Sequence, residues 1–161
     1  MRLDIIGSVA SGKSTLSRKI SDVYHIPHYE KDNIVWMRTS AGDRKRSDVE
    51  RDALFYDIIS KKDWIVEGSP RDCLKESFTL CDYIILLDIP FGLRLYRVFC
   101  RWIRQNMGLE SYNTKPTLHF LWMNIKWVRE FDQVKGELLA ELQSYGDKLK
   151  VFSSSKEVLN L

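Results

Sequence analysis

Residues Gly7-Ser8-Val9-Ala10-Ser11-Gly12-Lys13-Ser14 form a complete G-x-x-x-x-G-K-[ST] motif, and Thr15 follows it directly. The run Leu3-Asp4-Ile5-Ile6 before the motif is mostly apolar, which is typical of a buried strand. Behind the motif, apolar residues recur at helical spacing from Leu16 to Val23. The motif therefore lies in the strand, loop and helix context that a phosphate-binding loop requires.

The motif predicts that the chain binds ATP with Mg²⁺. Successive backbone N–H groups can surround a phosphate only where no side chain intervenes, and the following helix adds its positive N-terminal end. We expect Lys13 to reach the β- and γ-phosphates and Ser14 to ligate Mg²⁺. A glycine-serine turn in an unrelated α/β unit is the disfavoured alternative. The predicted nucleotide contacts in this loop come from Gly7, Ser8, Ala10, Ser11, Gly12, Lys13, Ser14 and Thr15.

Length and composition indicate one globular domain. The chain has 161 residues, of which 44% are hydrophobic, enough to bury a core without disulfides or metals. We predict a single domain over residues 1–161, with a lid or hinge region at about residues 102–117. The oligomeric state is left open between a monomer and a homodimer.

Charge and cysteine content exclude other classes of protein. The net charge of +3 is too balanced to indicate nucleic-acid binding from composition alone. The three cysteines, Cys73, Cys81 and Cys100, have no C-x-x-C spacing, so we expect reduced thiols and no zinc site. We see no signal peptide and no apolar run of about 18 residues that would span a membrane. These features predict a cytoplasmic protein.

Two further strand candidates end in polar residues that would face the phosphate loop. They are Ile26-Pro27-His28-Tyr29 and Trp64-Ile65-Val66. Because ligands bind at the carboxyl ends of parallel strands, Asp32 is placed to orient an acceptor or to hold water on Mg²⁺; capping the next helical turn is an equal alternative. Trp36 is either a wall against a base or, as we favour, part of the core.

The turn after the later strand, Glu67-Gly68-Ser69-Pro70-Arg71, combines an acid, a glycine and an arginine. An acid at this strand end is suited to the metal's water shell, and Gly68 allows a close backbone approach. Arg71 is suited to pair bidentately with a phosphate.

By contrast, the polar stretch Arg38 to Ser47 is interpreted as a solvated loop.

Four arginines, Arg94, Arg97, Arg101 and Arg104, share one face of a predicted helix. Between Leu93 and Met107 there is no acid, although solvated basic faces normally carry Asp or Glu one turn away. Arginine is preferred for forked phosphate contacts, so we favour an anion-binding role for this face.

These segments resemble adenylate kinases. Glu67 to Arg71 is similar to their Asp-Gly-Phe-Pro-Arg segment, with Glu for Asp and Ser for Phe, and Cys81 to Pro90 is similar to their fourth strand. The resemblance implies that Arg97 lies over the adenine and Arg101 on the phosphates. It also implies that the loop after the last strand, which includes Ser154 and Lys156, contacts the adenine through its backbone.

Over nearly the whole chain, the sequence most resembles a group of small bacterial P-loop proteins called topology modulation proteins. The phosphate loop, Asp32-x-x-x-Trp36, Trp64 to Gly68 and Leu87-Asp88-x-Pro90 carry this resemblance. Glu67 and Pro70 depart from the aspartate and aromatic residue common in that group. The group's name implies a role in DNA supercoiling, for which these residues supply no mechanism.

We therefore predict a three-layer α/β/α P-loop NTPase fold with a five-stranded parallel sheet and a short lid. The predicted activity is transfer of the ATP γ-phosphoryl group to a small acceptor, with a nucleotide favoured. A kinase for a small alcohol and an ATP-dependent regulatory or DNA-associated module are the alternatives. Catalysis is assigned to Lys13, Arg97, Arg101 and Asp32, acceptor binding to Asp32, Trp36, Gly68 and Arg71, and the metal to Ser14 and Glu67.

Overall fold

The computed structural model describes residues 1–39 and 42–158, with the Lys156 side chain outside the described part. Strands and helices alternate along most of the chain, joined by short 3₁₀ turns at Asp72–Leu74 and Gly146–Lys148. In chain order they are β1 (Arg2–Gly7), α1 (Lys13–Tyr24), β2 (His28–Glu30), α2 (Lys31–Val35), β3 (Trp36–Met37), β4 (Arg44–Lys45), α3 (Asp48–Ile59), β5 (Trp64–Gly68), α4 (Glu76–Leu80), β6 (Tyr83–Leu87), α5 (Phe91–Asn106), α6 (Leu118–Gln143), β7 (Leu149–Phe152) and α7 (Ser155–Val158).

The main sheet confirms the predicted fold. Within the described residues it has five parallel strands in the order β2-β5-β1-β6-β7, with helices on both faces. β1 lies at the centre, and its residues pair with β5 on one side and β6 on the other. The phosphate loop therefore begins at the middle of the carboxyl edge of the sheet, where α/β folds bind their ligands.

Each face of the central strands packs into its own apolar cluster. The alternation along β1 sends Leu3 and Ile5 to one face and Ile6 to the other, as the two-residue period of a strand requires. One cluster packs Leu16 and Ile20 of α1 against the sheet. The other cluster packs Phe55 and other residues of α3 and α4 on the opposite face. Because both faces are covered, the central strands are apolar almost throughout.

Helices α5 and α6 pack against each other beside the sheet. Val98 of α5 and Val128 of α6 are buried in a third cluster between them. The side chain of Arg94 is only 2% exposed, and its Nε donates to the Ile89 carbonyl at 2.8 Å. Its guanidinium also pairs with Asp132 of α6. Arg94 thus joins the two helices.

The interpretation of four unpaired arginines on one helix face was wrong for two of them. Arg94 pairs with Asp132, and the Arg104 Nε donates to Glu110 Oε2 at 3.0 Å. Neither acid lies within α5, so helical spacing did not indicate either one. Only Arg97 and Arg101 have no salt bridge among the residues that the structure describes.

The polar stretch after α2 is more ordered than a solvated loop. Within the stretch Arg38 to Ser47, β4 pairs antiparallel with β3, which directly precedes the stretch, and Arg38 forms an ion pair with Asp43. Ser40 and Ala41 lie outside the described residues. Trp36 of β3 packs against the apolar cluster around Phe55, which agrees with core packing and not with a wall of the ligand site.

The predicted lid or hinge region at residues 102–117 overlaps the end of α5, which continues through Asn106. The following segment is tied back to α5, since the Asn106 amide donates to the Pro116 carbonyl at 3.0 Å. Thr117 caps α6, accepting from the Phe120 N–H at 3.1 Å. No helix in the described part of the chain is long and apolar enough to cross a membrane.

We expect Arg94→Met to lower the free energy of unfolding by about 3 kcal/mol, because it leaves Asp132 and two carbonyl oxygens without a buried partner. Urea unfolding of both proteins measures the difference. The matched control is Arg104→Met, whose exposed pair with Glu110 contributes about 1 kcal/mol or less. Equal effects of the two substitutions would contradict a joining role for Arg94.

Candidate functional site

The phosphate loop follows β1 through backbone conformations that glycine favours. A Cβ on Gly7 would lie 2.8 Å from the Leu87 carbonyl oxygen of the neighbouring strand, so no side chain fits there. Gly12 has φ 97° and precedes α1, which turns the chain into the helix. Both glycines of the motif are therefore required by backbone geometry.

The inside of the loop offers donors for phosphate oxygens. The Lys13 side chain is buried, and its Nζ donates to the Ser8 carbonyl at 2.7 Å. The hydroxyls of Ser8 and Ser11 are also buried, with no hydrogen-bond partner among the described residues. Buried polar groups normally have partners, so this loop fits a polyphosphate that would supply them.

Ser14 and Glu67 are suited to hold Mg²⁺. The Ser14 hydroxyl donates to Glu67 Oε1 at 2.6 Å, which brings the first turn of α1 beside the end of β5. Burial raises the pKa of Glu67, while the Ser14 hydrogen bond and the charge of Lys13 lower it by less. A hydroxyl and a carboxylate are the oxygen donors that Mg²⁺ prefers, so the residues fit this ion.

Two arginines of α5, Arg97 and Arg101, lie near the phosphate loop. Arg97 Nη1 donates to the carbonyls of Ala10 at 3.3 Å and Ser11 at 3.1 Å. Arg101 donates to Asn124 Oδ1 at 3.0 Å, and its charge contributes to lowering the pKa of Lys13, which burial lowers most. Arg97 therefore contacts the loop, and Arg101 lies within electrostatic reach of Lys13.

Asn124 is a site residue that sequence reasoning missed. Its side chain is 5% exposed and donates to the Phe120 carbonyl at 2.7 Å, which leaves its oxygen free to accept from Arg101. A buried asparagine on the apolar face of α6 was the available signal, because such a side chain needs hydrogen-bond partners.

On the other side of Glu67, Asp32 and Arg71 pair with each other. Arg71 Nη2 lies 2.5 Å from Asp32 Oδ1, and both side chains are partly exposed. The charge of Asp32 contributes to raising the pKa of both Lys13 and Glu67, so it lies within electrostatic reach of the phosphate loop. The structure thus brings together two of the four residues predicted to bind the acceptor.

The close neighbour of Gly68 in this structure is the side chain of Lys31. A Cβ on Gly68 would lie 2.8 Å from the Cβ of Lys31, the residue before Asp32. Its predicted role in close approach holds for the backbone packing of this turn. Trp36 does not join the pair formed by Asp32 and Arg71, since it packs into the core.

The loop predicted to meet the adenine follows β7, the edge strand that pairs with β6. The Phe152 carbonyl accepts from the Asp88 N–H at 2.9 Å, which holds the end of β7 to the end of β6. Ser154 precedes the short helix α7, and Lys156 lies within it. The contacts of the Lys156 side chain lie outside the described residues, so its predicted role stays a prediction.

The fold agrees with that of solved shikimate kinases, although no protein-family model and no curated protein matches the sequence. The enzyme from Acinetobacter baumannii, solved with shikimate, is 11% identical over 99% of this chain and 90% of its own, with TM-score 0.60. The Bacteroides thetaiotaomicron enzyme is 12% identical over 100% and 99%, with TM-score 0.54. The Aquifex aeolicus enzyme is 19% identical over 99% and 95%, with TM-score 0.53. The chain therefore shares the three-layer α/β/α fold of these solved enzymes.

We expect Glu67→Gln to change the pH dependence of stability in one direction. The pKa of Glu67 is raised above 4.5 in the folded protein, so the folded state loses stability as pH rises from about 4.5 through the folded pKa. Without Mg²⁺, the variant should therefore gain in melting temperature over the wild type as pH rises from 4.5 to 8.

Glu50→Gln is the control with the opposite sign. Hydrogen bonds from Arg44 and Ser47 lower the pKa of Glu50 from 4.5 to about 2, so its contribution is lost as pH falls from 4.5 towards 2. Gln keeps the capping box of α3 and removes only the charge. A flat difference between the wild type and Glu67→Gln from pH 4.5 to 8 would contradict the assigned burial of Glu67.

Proposed function

We propose that this chain is an ATP-dependent phosphotransferase that moves the γ-phosphoryl group of Mg-ATP to a small acceptor. The observation that carries the proposal is a phosphate loop in which Lys13 is buried, Arg97 donates to two carbonyls, and two buried serine hydroxyls have no partner among the described residues. Phosphoryl transfer needs positioning and charge stabilisation more than covalent chemistry, and these groups supply both.

Each residue has a distinct part in the proposed mechanism. The backbone of Gly7 to Ser14 wraps the phosphates, and Lys13 stabilises the charge that develops on the transferred group. Arg97 and Arg101 close the site from α5. Ser14 and Glu67 would hold Mg²⁺, which would neutralise negative charge on the bound phosphates. The adenine would lie near Ser154 and Lys156, as the adenylate kinase resemblance implies.

The acceptor is proposed to lie at Asp32 and Arg71. These side chains pair with each other at 2.5 Å, so an acceptor that separates them needs an anionic group for Arg71 and a donor for Asp32. The adenylate kinase resemblance favours a nucleotide, whose phosphate would itself be the acceptor. The likeness in fold to a kinase solved with shikimate favours a hydroxylated carboxylate, and the Asp32–Arg71 pair suits this class equally.

The regulatory or DNA-associated alternative is less favoured. Arg38 and Arg44 are two of the basic side chains that could contact DNA, and they form ion pairs with Asp43 and Glu50. The relation to topology modulation proteins and a cytoplasmic location stay predictions.

The direct test is ADP release from Mg-ATP with a panel of nucleoside monophosphates and small hydroxylated acids. We expect acceptor-stimulated turnover in the wild type, and a loss of about 10²–10³-fold in kcat for Lys13→Ala because one charge-stabilising group is removed. Lys148→Met is the matched control, because Lys148 donates only to the Thr79 carbonyl at the amino end of the sheet. ATP binding without stimulation by any acceptor would overturn the phosphotransferase proposal.

Asp32→Asn distinguishes the two acceptor classes. If the acceptor is an alcohol, Asp32 takes or orients the hydroxyl proton, and kcat should fall by about 10²–10⁴-fold. If it is a phosphate, no base is needed, and the acceptor KM should rise with kcat nearly unchanged. Steady-state kinetics at saturating ATP separates the two results, and an unchanged kcat and KM would remove Asp32 from the site.

A further inference from the structure

Asp4 is a fully buried carboxylate in the middle of β1, and each of its oxygens has a different partner. Oδ1 accepts from Lys31 Nζ at 2.7 Å, and Oδ2 accepts from the Ser77 hydroxyl at 2.5 Å. All three side chains are 0% exposed. Burying a charge is unfavourable unless it is paired and hydrogen-bonded, so this cluster is held by these contacts.

Lys31, the first partner of Asp4, holds in place the segment that carries Asp32. Lys31 begins α2 and is the residue directly before Asp32. Its stem runs beneath Gly68, with Cβ, Cγ and Cδ at 2.8, 3.3 and 3.4 Å from an ideal Gly68 Cβ. Since the ammonium is bound to Asp4 beyond this point, the stem is held against the backbone of the turn that leads to Arg71.

Ser77, the second partner of Asp4, holds in place the segment that carries Arg71. Ser77 lies in α4, and the 3₁₀ turn between Arg71 and α4 is closed by the Leu74 N–H, which donates to the Arg71 carbonyl at 3.0 Å. Fixing Ser77 on Asp4 therefore fixes the distance from β1 to the turn that starts at Arg71. One carboxylate thus anchors both segments whose side chains meet at the acceptor pair.

We propose that Asp4, Lys31 and Ser77 are positioning residues that hold Asp32 and Arg71 at the spacing that the acceptor requires. They touch neither the acceptor nor ATP and act only through these two segments. The inference rests on the proposed function for its kinetic consequence, while the positioning itself is a property of the protein without substrate.

The main test is the double variant Lys31→Met with Asp4→Asn. It removes both charges together and keeps an oxygen that accepts from Ser77, so no unpaired charge is buried. We expect its melting temperature to lie above that of Lys31→Met alone, which leaves Asp4 buried without its cation. Methionine at position 31 cannot form a hydrogen bond or an ion pair with residue 4 of β1, so the segment is held less firmly. We therefore expect faster hydrogen exchange in the peptide that covers residues 67–72.

The kinetic consequence separates positioning from a purely structural role. In the double variant we expect the acceptor KM to rise about ten-fold or more, while kcat and the Kd for ATP change by less than about two-fold. Leu142→Ala is the control. It removes a fully buried side chain at the carboxyl end of α6 from the apolar cluster around Phe55. Each protein is measured at the same number of degrees below its own melting temperature. Under these conditions, the control should keep wild-type exchange at residues 67–72 and a wild-type acceptor KM.

Each result decides one question. Wild-type exchange at residues 67–72 in the double variant would overturn the positioning role, whatever the kinetics. Faster exchange there with an unchanged acceptor KM would overturn its link to the acceptor. If the wild type shows no acceptor-stimulated turnover, the proposed function fails, and the exchange experiment still decides whether the cluster positions the two segments.

Discussion

The burial of the Lys13 ammonium inside its own phosphate loop is the constraint on which the rest of the site depends. Burial lowers the pKa of Lys13, and Glu67 and Asp32 raise it by less. Arg101 and Lys31 act with burial to lower it. The loop is therefore surrounded by charges of both signs. A polyphosphate would pair with the positive side chains, and its metal ion would pair with the negative ones.

The order of the strands distributes these charges. β5 lies between β1 and β2, so Glu67 at its end has the phosphate loop on one side and Asp32 on the other. The carboxyl ends of parallel strands meet at one edge, which is why Ser14 and Glu67 become neighbours although they are 53 positions apart. The metal site and the acceptor pair thus share one turn, from Glu67 to Arg71.

The arginines of α5 show where helical periodicity stops being informative. Spacing places Arg94, Arg97, Arg101 and Arg104 on one side of the helix, but their roles differ because their surroundings differ. Asp132 is 38 residues from Arg94 and reaches it only because α6 packs along α5. The phosphate loop meets the same helix at Arg97, about one helical turn before Arg101, which contacts α6.

Sequence alone determined the phosphate loop, the parallel α/β architecture and the approximate positions of most long elements. These features are encoded locally, by glycines that backbone geometry requires and by apolar residues at strand or helix period. It also identified Asp32, Glu67 and Arg71, since each directly follows a strand or begins the turn beyond it. The aspartate within the apolar run of β1 was a signal for a buried partner, but the run by itself did not indicate which residue.

Only the tertiary structure decided which polar groups pair with one another. Asp4 with Lys31 and Ser77, Arg94 with Asp132, and Arg101 with Asn124 join residues that are 23 to 73 positions apart. Such pairs depend on how helices pack on the sheet and on each other, and packing is set by the whole core rather than by any local pattern. For the same reason, Trp36 packs against the core, and Arg44 and Lys45 of the charged stretch after it form β4, which pairs with β3.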